Sequence, residues 1–180
     1  MKTIEEYLPE HPFFQGLDQQ AVTLLSGCAT NVHFRPGQYL FREGEGADSF
    51  FVIRSGRVAI EMRMPTEEVV LDTAHEGDVV GWSWLIPPYR WTFDACATEE
   101  TSAIAFDGQC LRGKCDADPR LGYELMKRFS SIVHERLEKT RLQLLDLFER
   151  NAGILVAVVH FERDLRREID VVGDAATIVA

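Results

Sequence analysis

The sequence predicts a mainly β domain with flanking helices, a compact arrangement of short strands followed by one long C-terminal helix. Three observations predict it. From Asn31 to Phe106 the chain is a series of short apolar, strand-like runs separated by glycine-centred turns. Many short strands at near-regular spacing indicate a sandwich, roll or barrel. From Asp118 to Glu149 the period changes to three- and four-residue steps, the signature of an amphipathic helix. The composition, 46% hydrophobic and 27% charged over 180 residues, is that of a soluble globular chain long enough for one domain and an appendage.

The elements follow in order. Pro12-Phe13-Phe14 and Gly16 precede Asp18, whose carboxylate is a natural N-cap for a lead-in helix over Gln19–Cys28. Val32–Arg35 reads as the first strand, and Pro36-Gly37 as a turn with proline before glycine. Tyr39–Arg42 is the second strand, and Ser49–Arg54 (SFFVIR) is apolar enough to be buried. Ser55-Gly56 turns the chain into Arg57–Met64, and Pro65-Thr66-Glu67-Glu68 is a hairpin loop leading to Val69–Ala74. Asp94–Cys96 and Thr101–Phe106 complete the strands. Asp107 to Cys115 reads as a short helix ending near Gly113. Asp118-Pro119 then pairs an N-cap with proline at the first helical position.

In the long helix Leu121, Leu125, Phe129, Ile132, Val133, Leu137, Thr140, Leu144 and Leu147 recur on one face. A stripe of about eight turns is more than a small roll can cover, so a second copy of the helix is expected to bury it. Beyond it, Ile154–Phe161 is either a strand or a buried helical segment, which periodicity cannot separate, and Glu162–Ile169 reads as helical. The expected organisation is therefore residues 1–118 as roll with lead-in helices, 119–149 as dimerisation helix, and 150–180 as a tail.

The formal net charge of −10 argues against an extended DNA-binding surface, which needs clustered Lys and Arg. It permits a small anionic ligand beside a local arginine, because distant charge is screened over about 8–10 Å. Cys28, Cys96, Cys110 and Cys115 show no CxxC spacing and follow an acidic, proline-broken start unlike a signal peptide. They read as ordinary thiols of a reducing compartment. The apolar run Gly153–Val159 falls far short of the roughly 20 residues of a membrane helix. A soluble, cytoplasmic protein with no membrane association is expected.

Glu76 to Ala95 (EGDVVGWSWLIPPYRWTFDA) is the stretch that suggests a ligand. A tight turn, a second glycine at Gly81, a candidate helix start and a nearby arginine together suit an anion. Residues 12–149 resemble the cyclic-nucleotide-binding domain of the Crp/Fnr (catabolite activator) regulators. The resemblance rests on Pro36-Gly37, Gly44, Asp48–Ile53, Ser55-Gly56-Arg57-Val58, Glu76-Gly77-Asp78 and Gly81, in the family's order of lead-in helix, roll, cassette, closing strands and long helix.

The resemblance implies a double-stranded β-helix, jelly-roll-like, with a dimerisation helix after it, and a regulatory rather than catalytic role. It implies cAMP or cGMP, or a similar small anion, as ligand. Phosphate would be held by backbone amides around Gly81, Trp82, Ser83 and Trp84 and by an arginine. The residue after the cassette glycine, usually a glutamate for the ribose, is Trp82 here. Tyr89 is nearest the family arginine by ungapped spacing and Arg90 follows it, so an insertion or deletion puts Arg90 in role. A hydrogen bond to a charged group contributes roughly 1.5–3 kcal/mol. Trp82, Trp84 and Trp91 offer stacking at about 1–3 kcal/mol per base in its place, or fill the cassette and leave no ligand. Ser130 and Ser131, with His134, occupy the turn that would close over the base. The family's helix-turn-helix needs more chain than follows Glu149, so no direct DNA binding is expected, and a protein partner is the alternative output.

Rival chemistries find little support. His11, His33, His75, His134 and His160 are scattered without HxH spacing, unlike the convergent ligands of a metal-dependent cupin. Cys110 and Cys115 are too few and wrongly spaced for an iron–sulfur cluster. No metal, haem or cluster is expected, and with no G-x-S-x-G motif neither is an enzyme.

Overall fold

The computed structural model describes residues 2–64 and 68–177. Helix α1 (Ile4–Tyr7) starts with a capping box between Thr3 and Glu6. Two 3-10 turns, Leu8–Glu10 and Pro12–Phe14, lead to α2 (Gln19–Ser26). Asp18 caps α2 by accepting the Ala21 N–H at 2.8 Å, as its place in the sequence predicts.

Eight strands follow: β1 (Ala29–Phe34), β2 (Tyr39–Phe41), β3 (Ser49–Ser55), β4 (Val58–Arg63), β5 (Glu68–Ala74), β6 (Val79–Val80), β7 (Asp94–Ala97) and β8 (Thr101–Asp107). They form two four-stranded antiparallel sheets, ordered β1-β8-β3-β6 and β2-β7-β4-β5. Each expected strand is present within a few residues of its expected ends. The loop expected at Pro65-Thr66-Glu67-Glu68 falls, apart from Glu68, outside the described residues.

Strand β3 of the first sheet is buried on both faces, which explains why it reads as a continuous apolar run rather than an alternating one. Along β3, Phe50 and Val52 join the core beneath the helices, while Phe51 and Ile53 point into the roll. Strand β6 divides likewise, Val79 to one core and Val80 to the other, and β8 sends Ile104 and Phe106 outward and Ala103 inward. The helix-side core contains Leu8, Phe14, Leu25, Trp84, Leu111, Leu125 and Phe129.

Helix α3 (Gly108–Ala117) is capped by Asp107, which accepts the Cys110 N–H at 2.8 Å. It runs past Gly113, where the sequence suggested an end. It stops at Asp118, which is extended (φ −127°, ψ 91°) as a residue before proline prefers. Helix α4 runs from Pro119 to Thr177, longer than the expected 119–149. No proline follows Pro119, and an isolated helical glycine such as Gly153 costs only about 1 kcal/mol. The strand alternative for Ile154–Phe161 is thereby overturned.

The chain divides into two compact units, Met1–Ile132 and Val133–Ala180. In the first, Leu121, Leu125 and Phe129 of α4 are buried, with Ile132 packed beside them. In the second, Leu137, Leu142, Leu144, Leu145, Leu147 and Phe148 are exposed.

The cysteines require a correction. Cys96 and Cys115 are free thiols, which burial pushes up in pKa. Cys28 and Cys110, however, form a disulfide with Cα atoms 5.9 Å apart. Linear spacing cannot show this pairing, because sheet register creates it. Ala29 pairs with Phe106, and the Asp107 N–H donates to the Cys28 carbonyl at 2.8 Å. One helical turn beyond the Asp107 cap brings Cys110 to Cys28. The cysteine argument for a reducing compartment therefore does not hold for this pair.

His11 ties the lead-in segment to the roll. It is buried between Tyr7 and Phe14, with ring centroids 5.7 and 5.6 Å away. Its Nδ1 accepts the Phe13 N–H at 3.2 Å, which leaves Nε2–H to donate to the Gly77 carbonyl at 3.0 Å. Burial lowers its pKa below the ordinary value, against smaller opposing effects of the Gly77 hydrogen bond and Asp78.

Two measurements test these features. Thiol titration of the denatured, unreduced protein should find two reactive cysteines, rising to four after reduction. Reduction should lower stability by about 2–5 kcal/mol, the usual range for a native disulfide. The His11 effect has a definite sign. The unfolded chain takes up the proton first, so the stability held by neutral His11 is complete above the unfolded pKa of about 6.5 and is lost as pH falls below it. Calorimetric melting of wild type and His11→Gln at pH 7.5 and 5.5 should show the smaller acid-induced drop in the variant.

Candidate functional site

The site is built on the turn between β5 and β6. Gly77 (φ 86°) makes the corner, its N–H donating to the Ile53 carbonyl at 2.9 Å, while the Ile53 N–H donates back to Asp78 O at 3.0 Å. The Asp78 carboxylate accepts the His75 N–H at 2.7 Å. This ring of bonds, braced by His11, fixes where β6 delivers Gly81. Between Gly81 and Trp91 the chain makes a single 3-10 turn over Ser83–Leu85. It then passes a cis Pro87–Pro88 bond and Tyr89 at φ 55°. One such turn aligns few peptide dipoles, so the anion-favouring helix start expected at Gly81–Trp84 is weak.

The cassette returns against the β2–β3 loop. The Ala47 N–H donates to Tyr89 O at 2.7 Å, the Trp91 N–H to Glu45 O at 3.0 Å, and the Gly44 N–H to Trp91 O at 2.9 Å. Arg90 Nη1 donates to the Gly44 carbonyl at 2.6 Å. This pairing leaves Arg90 exposed at the rim, while the adjacent Trp91 ring is 5% exposed and faces the roll interior.

The three tryptophans have different surroundings. Trp84 is fully buried in the helix-side core, stacked on Phe50 at 5.5 Å and edge-on to Phe129 at 5.7 Å. Its faces are thus covered by protein rings. Trp91 stacks on Phe41 with centroids 3.8 Å apart and planes 11° from parallel. A Cβ added to Gly81 would meet Cη2 and Cζ3 of this ring at 2.9 Å, so Gly81 is required for space as well as for its φ of 91°. Trp82 alone of the three is half-buried. Ser83 is buried, Tyr89 lies exposed at the rim, and Ser130 and Ser131 are exposed on α4 next to Phe129. The Ser131 hydroxyl donates to the Lys127 carbonyl at 3.3 Å.

Two residues at this site escaped the sequence reading. Phe41 supplies the platform for Trp91. Arg112 of α3 donates from Nη1 to Trp84 O at 2.7 Å, lies 3.7 Å from Asp48 and places its guanidinium 4.5 Å over the Tyr89 ring. A contact fixed by tertiary folding leaves no local pattern for a lone arginine on a short helix.

Apart from Asp48, the notable acidic groups lie elsewhere. Asp94, buried at the start of β7, accepts the Glu43 N–H at 2.6 Å and pairs with Arg63 at 3.3 Å. Burial, with Glu68 and Asp94 nearby, pushes the Glu61 carboxyl up. Among the described residues no group of His, Cys, Asp and Glu could hold a metal ion, and no helix is long and apolar enough to cross a membrane. A separate groove of about 620 Å³ lies between the starts of α2 and α4. Its Asp18 and Asp118 carboxylates cap those helices, and Glu124 pairs with Lys127 and Arg128, so its acids already have partners.

Comparison with known proteins agrees with this architecture. Residues 31–118 match the family model of the cyclic nucleotide-binding domain. A CRP-like cAMP-activated global transcriptional regulator of Mycobacterium tuberculosis is 29% identical over 145 residues, 80% of this chain and 63% of that protein. The chain thus spans less than two thirds of the length of that relative. A crystal structure described as that of a cyclic nucleotide-binding protein from Geobacter metallireducens superposes with a TM-score of 0.67 at 26% identity, covering 76% of this chain and 99% of that one. A cyclic nucleotide-binding domain from Methylobacillus flagellatus shares the fold with a TM-score of 0.64 at 17% identity, over 76% and 78% of the two chains. With its two antiparallel sheets, its glycine-cornered cassette and the helix that follows, the chain carries a cyclic nucleotide-binding domain of the Crp/Fnr type.

Proposed function

We propose that the chain is a regulatory module whose cassette binds a cyclic nucleotide, cAMP or cGMP, or a similar small anion, and whose α4 transmits the bound state within a homodimer. The observation that carries this reading is Arg90. Its guanidinium is held at the cassette rim by a single backbone carbonyl, Gly44 O, which an anion can replace as partner with a stronger, charge-assisted bond. Arg90 therefore takes the role of the family arginine, with Tyr89 beside it. Trp82, half-buried, is the one tryptophan that keeps surface free for a ligand. Ser83 would add a hydroxyl from the cassette, and Ser130 and Ser131 would approach from α4. Cyclic nucleotide pools place such a module in the cytoplasm.

The dimer rests on the exposed leucines between Leu137 and Leu147. Contiguous exposed apolar surface of that kind marks an interaction face, and a second copy presents the matching stripe. The output then passes to a protein partner rather than to DNA. A second reading, a degenerate sensor that keeps the dimer and has no ligand, draws on the Trp91 ring lying against Gly81.

Calorimetric titration separates the two readings. Wild-type protein should release or absorb heat with cAMP or cGMP, and Arg90→Ala should weaken binding roughly 10–100-fold, the equivalent of one charged hydrogen bond. No heat up to millimolar nucleotide would reject the sensing reading. Independently, light scattering at micromolar concentration should give twice the chain mass, and Leu137→Asp/Leu144→Asp should shift it to the monomer.

A further inference from the structure

We infer that Trp91 is a displaceable internal occupant of the cassette, and that the cost of moving its ring sets how tightly and how selectively the site takes its ligand. The inference rests on the nucleotide-binding reading above and goes beyond it by naming the residue that controls access. The ring covers Gly81 so closely that a single added carbon would overlap it at 2.9 Å. A phosphate or ribose approaching the Gly81 backbone from inside the roll needs the volume that the indole now fills.

The surroundings explain why the ring is there and why it can leave. Its outer face stacks on Phe41, an apolar partner that would serve a purine base equally well, since either presents a flat π-surface. Phe51, Val80, Ala95 and Ala103 belong to the same apolar core as the ring. The backbone of Trp91 is fixed by the Glu45 and Gly44 bonds, but among the described residues none accepts a hydrogen bond from its indole nitrogen. Ring rotation thus breaks stacking and burial rather than a hydrogen-bond network. A ligand that brings its own flat ring recovers the stack on Phe41, whereas a bare anion such as inorganic phosphate does not. The site is therefore selective for an anion joined to an aromatic base.

Titration of cAMP and cGMP into wild type, Trp91→Phe and Trp91→Ser tests this, with circular dichroism confirming that each variant is folded. Affinity should rise at least tenfold in Trp91→Ser, with Trp91→Phe between the two, and inorganic phosphate should show no binding to wild type. In a Trp82→Phe background, nucleotide should shift the remaining tryptophan emission to the red, and this shift should vanish when Trp91 is also replaced. Equal or weaker binding by folded Trp91→Ser, or heat of binding without an emission shift, overturns the occupant role while leaving nucleotide binding intact. If wild type and both folded variants all fail to bind, the nucleotide reading falls and the occupant role with it.

Discussion

The structure depends on one strand being buried on both faces. Strand β3 separates two cores, and its consecutive side chains belong to different ones: Phe50 and Val52 to the helix side, Phe51 and Ile53 to the roll. A shift of one residue in its register would exchange the two sets. That would move Phe50 off Phe106, on which it stacks with centroids 4.4 Å apart, and Phe51 off Phe34 and Phe41. Pairing with β8 on one side and β6 on the other transmits this constraint to both ends of the site. β6 delivers Gly81, and β8 ends in the Asp107 cap that starts α3. The cassette is thus held between two elements whose positions the same strand dictates.

How much of this was legible in the sequence follows from the range of the interactions involved. Turns and caps are local, so Gly77, Asp18 and Asp118 revealed their roles through neighbours within three residues. Strand existence was legible because SFFVIR and TSAIAF need burial on both faces. The contents of the site depend on contacts far apart in the chain. Trp91 meets Phe41 across 50 residues of sequence, Arg112 meets Trp84 through a helix that follows the cassette, and Cys28 meets Cys110 only because β1 and β8 align. None of these pairs has a spacing that marks it. Three tryptophans in one short segment read alike as ligand platforms, yet folding distributes them among core, roll interior and a half-buried position.

The long helix shows the opposite case, in which the pattern was legible and the boundary was not. Its stripe is continuous in sequence, but its environment changes at the division between the two units. Leu121, Leu125 and Phe129 fill the helix-side core, whereas the leucines from Leu137 to Leu147 are exposed. A stripe of constant spacing does not say where one cover ends. Helical propensity likewise does not stop at Glu149, because nothing after Pro119 interrupts the backbone hydrogen bonding.

Arg90 and Trp91 are neighbours in sequence, and this gives the site its coupling. Adjacent residues of an extended segment point to opposite sides, so one faces the rim and the other the interior. Arg90 is tied to the loop of residues 44–47 by its guanidinium and Trp91 by its backbone. On the sensing reading, a ligand that draws Arg90 away from Gly44 O removes one tie of that loop, while the backbone bonds of Trp91 hold and only its ring moves. The same segment carries Tyr89, whose ring lies under Arg112, and Arg112 also holds the Trp84 carbonyl. Trp84 in turn packs against Phe129 of α4. Packed rings and one guanidinium therefore connect the cassette to the start of α4, all within the first unit. Such a chain carries coupling only if the cassette has two arrangements. On the sensing reading, the ring of Trp91, either stacked on Phe41 or replaced there by a base, is the element that would supply them.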